Sequence, residues 1–97
     1  MEAPKRRYNV RGNKDEAPGV VTLRFSSEGE NPPFVAGQFI TVYFPELCVP
    51  EGKAYSISSV PGDTELSITV KALGQFSRRL CAMRAGDSFL GSDPYGF

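Results

Sequence analysis

Lys53-Ala54-Tyr55-Ser56-Ile57-Ser58-Ser59, Pro61-Gly62-Asp63-Thr64 and Glu65-Leu66-Ser67-Ile68-Thr69-Val70-Lys71 read in succession as strand, turn and strand. The first strand runs over roughly residues 53–60. In the second, Leu66, Ile68 and Val70 alternate with polar residues, the period of a strand with one face on a core and the other in water. The Pro-Gly-Asp link between them is a turn signal, so the pair is expected as a hairpin that sets Tyr55 and Ser56 against Val70 and Lys71. Gly74 then breaks the strand and the period changes. From Gln75 to Arg84 the apolar residues Phe76, Leu80 and Met83 fall at helical spacing, and Ala85-Gly86 supplies a stop.

Working outward, the same period-two pattern recurs on both sides. Arg7-Tyr8-Asn9-Val10-Arg11 reads as a half-buried strand, and residues 12–19 as a turn-rich connection. Val20 to Ser26 places Val21, Leu23 and Phe25 on one face. Residues 27–34 are a loop punctuated by Gly29, Pro32 and Pro33. Gly37 to Phe44, closed by Pro45, is β-branched and aromatic on both faces, so cover on both sides is expected, with Gly37 as a bulge or turn. After the helix, Asp87 to Gly91 forms a last short strand and residues 92–97 a closing turn. Six strands joined by short connections, with one helix, predict an all-β fold: a small antiparallel barrel.

Composition narrows what such a barrel does. Ninety-seven residues support one domain and one core, and 40% hydrophobic content excludes a disordered chain. Eleven Lys and Arg balance eleven Asp and Glu, so no broad basic surface exists for nucleic acid, and any anion site must be local. With no His, and with Cys48 and Cys81 far apart, metal sites and Ser/His or Cys/His catalysis are excluded. A disulfide between the two remains open, yet the first seven residues lack the apolar run of a secretory signal and no segment is long enough to span a membrane. The expectation is a cytoplasmic protein with two reduced, buried thiols and no membrane partner.

Two segments carry chemistry. Lys53 and Tyr55 share a strand face and offer a point charge and a stacking ring; Ser56 adds a hydroxyl. The same residues also suit plain barrel wall. At the strand-to-helix junction, Gly74-Gln75-Phe76-Ser77 places open N–H groups at a helix start, a natural anion site. Arg78 and Arg79 in the first turn favour a bound phosphate, whereas Ser77 acting only as a cap serves the helix alone. Val70 and Lys71 lie close enough in sequence for one ligand to touch all three pieces. A flat aromatic cofactor bearing phosphates fits such a site.

Five short motifs in order resemble the FAD-binding barrel domain of the ferredoxin–NADP reductase superfamily. Lys53-Ala54-Tyr55-Ser56 is similar to its Arg-x-Tyr-Ser/Thr motif, and Gly74-Gln75-Phe76-Ser77 to its Gly-x-x-Ser motif. Gly37-Gln38-Phe39, Gly86-Asp87 and Asp93-Pro94-Tyr95-Gly96 match further pieces. Lys53 stands where the family usually has Arg, and Asp93 where it usually has Gly. The resemblance implies a six-stranded antiparallel Greek-key barrel with one short capping helix. It implies FAD rather than FMN, with Tyr55 against the isoalloxazine, Ser56 near flavin N5 as the catalytic hydroxyl, Lys53 on a phosphate, and Gly74, Gln75, Phe76 and Ser77 cradling the pyrophosphate.

Relatives in that superfamily continue into a nucleotide-binding domain, and no Gly-rich dinucleotide fingerprint occurs in these residues. The expectation is therefore a single FAD-binding domain over 1–97, a fragment of an NAD(P)H-dependent oxidoreductase whose NAD(P)-binding domain or subunit lies elsewhere and whose electron acceptor is unnamed. Two rivals stand beside it: a flavin-carrying electron-transfer subunit, and a cofactor-free interaction barrel with Tyr55 in its core.

Overall fold

The computed structural model describes residues 5–96. It contains β1 (Arg6–Ala17), β2 (Val20–Ser27), β3 (Phe39–Tyr43), a 3-10 turn (Pro45–Leu47), β4 (Lys53–Ser56), β5 (Leu66–Lys71), α1 (Gln75–Cys81) and β6 (Ser88–Gly91). All strand pairs are antiparallel, in one six-stranded sheet of order β4-β3-β6-β1-β2-β5. The order is the expected Greek-key path. The sheet curls until its two edge strands, β4 and β5, approach each other, and the residue just past β4 joins β5 at one bridge, Ile57 to Ile68. The Ser58 amide donates to the Ser67 carbonyl beside it at 2.8 Å. The barrel is thus approximate, closed by a seam rather than by a continuous ladder.

That seam is the expected hairpin cut short: residues 57–58 pair antiparallel with 67–68 across the turn at Pro61-Gly62, while β4 itself ladders with β3. β4 pairs with β3, Tyr55 lying opposite Ile40 and Ser56 opposite Phe39, while β5 pairs with β2 from Val20–Lys71 to Phe25–Leu66. The reason is apolar register. Leu66, Ile68 and Val70 face inward directly across from Phe25, Leu23 and Val21, all of them buried, so the β2 edge of β5 is a full ladder, whereas its other edge meets only residues 57–58.

β1 is longer than expected, because residues 12–17 continue as an exposed two-stranded ribbon with β2 instead of forming a loop. Their polar composition hid the strand, since its faces are solvated. The ribbon turns tightly at Pro18-Gly19, with Gly19 at φ 73°. Gly37 sits in a turn at φ 88°, as expected.

The helix is shorter than its pattern, ending at Cys81 instead of Arg84. Past that point tertiary contacts take over: the Asn13 side-chain amide donates to the Met83 carbonyl at 2.7 Å, and a turn from Arg84 to Asp87 is closed by backbone and Asp87 carboxylate bonds. Phe76, Leu80 and Met83 still all reach the core.

Inside the barrel an aromatic trio fixes the β1–β2–β6 wall. Tyr8 and Phe25 meet edge to face at 5.1 Å, Phe25 and Phe89 at 5.2 Å, and Tyr8 stacks on Phe89 at 5.5 Å. The buried Tyr8 hydroxyl donates to the Ser92 carbonyl at 2.8 Å, and burial pushes its pKa up to about 12. β3 is covered less than expected: Ile40 and Val42 are buried, but Phe39 is exposed on the outer face. There it meets Tyr95, whose backbone exchanges two hydrogen bonds with that of Phe39, at 2.8 and 2.9 Å. The closing turn is therefore a short strand-like partner of β3; Phe97 lies outside the described residues.

Candidate functional site

Although the β4–β5 hairpin is reduced to a short seam at residues 57–58 and 67–68, it brings the two predicted segments together. One groove of about 400 Å³ is lined by Lys53, Tyr55, Lys71, Leu73, Gly74, Gln75, Phe76 and Ser77. β4 supplies one wall, and the β5–α1 connection with the start of α1 supplies the other.

Tyr55 comes from the inward-facing register of β4 but sits at the barrel rim, so its ring is half-buried against the core and half-open to the groove. Burial, and secondarily the nearby Cys81 thiol, push its phenol pKa up, keeping it neutral. Lys53, in the same register, lies with its ammonium 5.9 Å from the Phe76 ring centroid. Phe76 is itself packed on Phe44 at 5.0 Å, so the floor of the groove is anchored in the core. Neither Lys53 nor Lys71 has an ion-pair partner among the described residues, and no carboxylate lines the groove.

At the head of α1 the Ser77 hydroxyl accepts the Leu73 and Gly74 amides at 2.8 and 3.0 Å. Ser77 thus caps its own helix, and the site amides that follow, of Gln75, Phe76 and Ser77, are those for which a helix has no internal acceptor. Gly74 is telling. Its φ is −152°, open to any residue, and a Cβ there would meet no atom within 4 Å. Nothing inside the protein requires glycine at this position.

Other predicted residues fall elsewhere. Val70 is buried in the core at 1% exposure and cannot face the groove. Ala54 and Ser56 are exposed on the outer side of β4; the Ser56 hydroxyl makes no hydrogen bond among the described residues and lies in register with Phe39. Arg79 does not serve the groove, since it pairs with Glu46 at 3.5 Å and covers the Phe44 ring at 4.8 Å. The thiols also depart from expectation. Both are free, but Cys48 is exposed, in a left-handed backbone conformation, and only Cys81 is partly buried, its thiol 3.6 Å from the Val70 carbonyl. Leu73 is the groove residue that sequence reading missed. It lies between the strand and helix patterns and belongs to neither.

A half-buried neutral ring, two unpaired lysines and helix-start amides around one groove suit a cofactor that is flat and aromatic at one part and anionic at another. Fold and groove together define a cofactor-binding β-barrel domain. The chain belongs to the FAD-binding domain family, whose profile matches residues 8–88. FAD is the cofactor that defines this family.

Among solved structures, a ferredoxin NADP+ reductase from Neisseria gonorrhoeae with bound FAD and NADP is 27% identical, with a TM-score of 0.81 over 99% of this chain and 40% of the reductase. A flavohemoglobin from Malassezia yamatoensis with bound FAD and heme (18%, TM-score 0.82) shares the fold over 96% of this chain and 25% of its own length. The cytochrome b5 reductase domain of Ulva prolifera nitrate reductase (16%, TM-score 0.72) does so over 96% and 42%. The chain therefore spans less than half of each. Comparison of its sequence with curated proteins gave no significant match. No helix among the described residues is long and apolar enough to cross a membrane.

Proposed function

We propose that residues 1–97 form one FAD-binding domain and that it serves as the flavin-holding half of an NAD(P)H-dependent oxidoreductase, in a cytoplasmic setting that its two free thiols suit. Tyr55 carries the isoalloxazine, Lys53 and Lys71 neutralise the diphosphate, and Gly74 to Ser77 admit it closely. Ser56, on the outer side of the edge strand β4 next to Tyr55, serves the flavin's reactive edge where the ring passes that strand. The flavin supplies the redox chemistry, hydride in and electrons out, while the protein positions it and tunes its surroundings. The nicotinamide site belongs to an NAD(P)-binding domain or subunit outside these residues; the Neisseria reductase, 40% of which this chain covers, holds both FAD and NADP.

The observation that carries this reading is Gly74. A helix start tolerates many residues, yet here a glycine leaves open space on the wall of a cationic groove, where a ligand backbone would approach. The test separates binding from folding. Gly74→Ala is expected to leave the thermal midpoint within a degree or two of wild type, since nothing is displaced, while weakening FAD on the order of tenfold. Tyr55→Ala should likewise lose flavin while remaining folded by circular dichroism. Colourless protein that ignores added FAD would end the proposal, and unfolding of Tyr55→Ala would return the ring to the core.

A further inference from the structure

Five large hydrophobic side chains are exposed among the described residues: Val35, Phe39, Val60, Leu73 and Tyr95. Leu73 is the most exposed at 73%, and it alone of the five lines the groove. A single exposed leucine is ordinary on a protein surface. This one differs in how it is held and in what surrounds it.

Its backbone is pinned before, at and after the residue, the last by the Gly74 amide on the Ser77 hydroxyl at 3.0 Å, so the exposure is not fraying. The Leu73 amide donates to the Ser77 hydroxyl at 2.8 Å, and the preceding Ala72 amide donates to the Gly19 carbonyl at 2.7 Å. The side chain stands on the β5–α1 wall, two residues from Lys71 and beside the open space at Gly74. Tyr55 and Lys53 stand on the other wall. The groove thus has two apolar surfaces, one ring and one aliphatic, with unpaired cations and no carboxylate. A ligand complementary to it has two flat apolar parts joined by an anionic linker.

We infer that Leu73 seats the adenine ring of FAD and gives this domain its preference for the dinucleotide over FMN. The inference rests on the flavin reading of the groove. If Tyr55 takes the isoalloxazine and the lysines the diphosphate, adenine is the remaining apolar part, and it gains by covering a leucine already held in place, because little side-chain or backbone order has to be created on binding. FMN ends at its phosphate and would not reach Leu73.

The test is a flavin-fluorescence titration of the 97-residue chain and its variants with FAD and with FMN. Leu73→Ser is expected to weaken FAD on the order of tenfold, from loss of most of one apolar side chain's burial, while FMN affinity and thermal midpoint stay unchanged. Leu73→Met, which keeps an apolar surface, should retain most of the FAD affinity. Equal losses for FAD and FMN, or no loss for FAD, overturn the role of Leu73 while leaving the flavin site intact. Failure of the wild-type chain to bind either flavin overturns the site and this inference with it.

Discussion

Lys53 shows how much one side chain can alter a cofactor site. A lysine brings a single point charge to a phosphate, whereas arginine offers a planar fork able to make two parallel charge-assisted bonds. Lys53 also lies over the Phe76 ring, a position where a guanidinium stacks well. Lys53→Arg is therefore expected to tighten FAD several-fold, worth about 1 kcal/mol, in the same titration. An unchanged or weaker affinity would mean that no phosphate sits beside residue 53. The identities of Lys53, Tyr55 and the Gly74–Ser77 run were legible because each has a chemical signature. Leu73 was not legible: an apolar residue in a three-residue link carries no periodicity, and only burial distinguishes a core leucine from a displayed one.

At the scale of elements, the β3–β4 hairpin holds the ring-bearing strand and depends on its connection. Gly52 adopts φ 69°, and a Cβ there would lie 2.5 Å from the Val42 carbonyl and 2.7 Å from the Thr41 side chain. Backbone cannot yield as a flexible side chain does. Gly52→Ala is expected to cost roughly 2–4 kcal/mol in denaturant unfolding, combining left-handed strain with the clash, and to weaken FAD by displacing Tyr55. A cost below about 0.5 kcal/mol would show that the connection relaxes freely. The helix illustrates the opposite case, where pattern and element agree in face but not in length. Phe76, Leu80 and Met83 all reach the core, yet Asn13 captures the Met83 carbonyl and ends the helix early. No local signal in residues 75–86 announces a partner seventy residues earlier in the chain.

The whole molecule is organised by its seam. β1–β2 and β2–β5 are long ladders, whereas β4 and β5 communicate through the Ile57–Ile68 bridge and the few serine hydrogen bonds beside it, including Ser58 to Ser67 at 3.0 Å between hydroxyls. Both walls of the groove meet across that weak join. Local opening is expected there first, so the Ser58 amide should exchange with deuterium markedly faster than the amides of Leu23 or Ile68, and FAD, by bridging the two walls, should slow it. Protection of Ser58 equal to that of the β2 core in the flavin-free protein would contradict a seam that opens on its own.

The sequence by itself determined that this is an all-β domain, that six strands and one helix build it, and which residues, 53–56 and 74–77, to examine as the candidate site. Those properties are local: alternation, turn residues and side-chain type act over a few positions. Only the tertiary structure decided which strands pair, where the helix stops, that Val70 belongs to the core, and that Leu73 stands open beside two lysines. The physical reason is that pairing is set between distant segments: β5 ladders with β2 along one edge, and along its other edge only residues 67–68 meet the end of the fourth strand. The expected hairpin is thereby shortened to a seam, and the seam leaves a groove between the two segments.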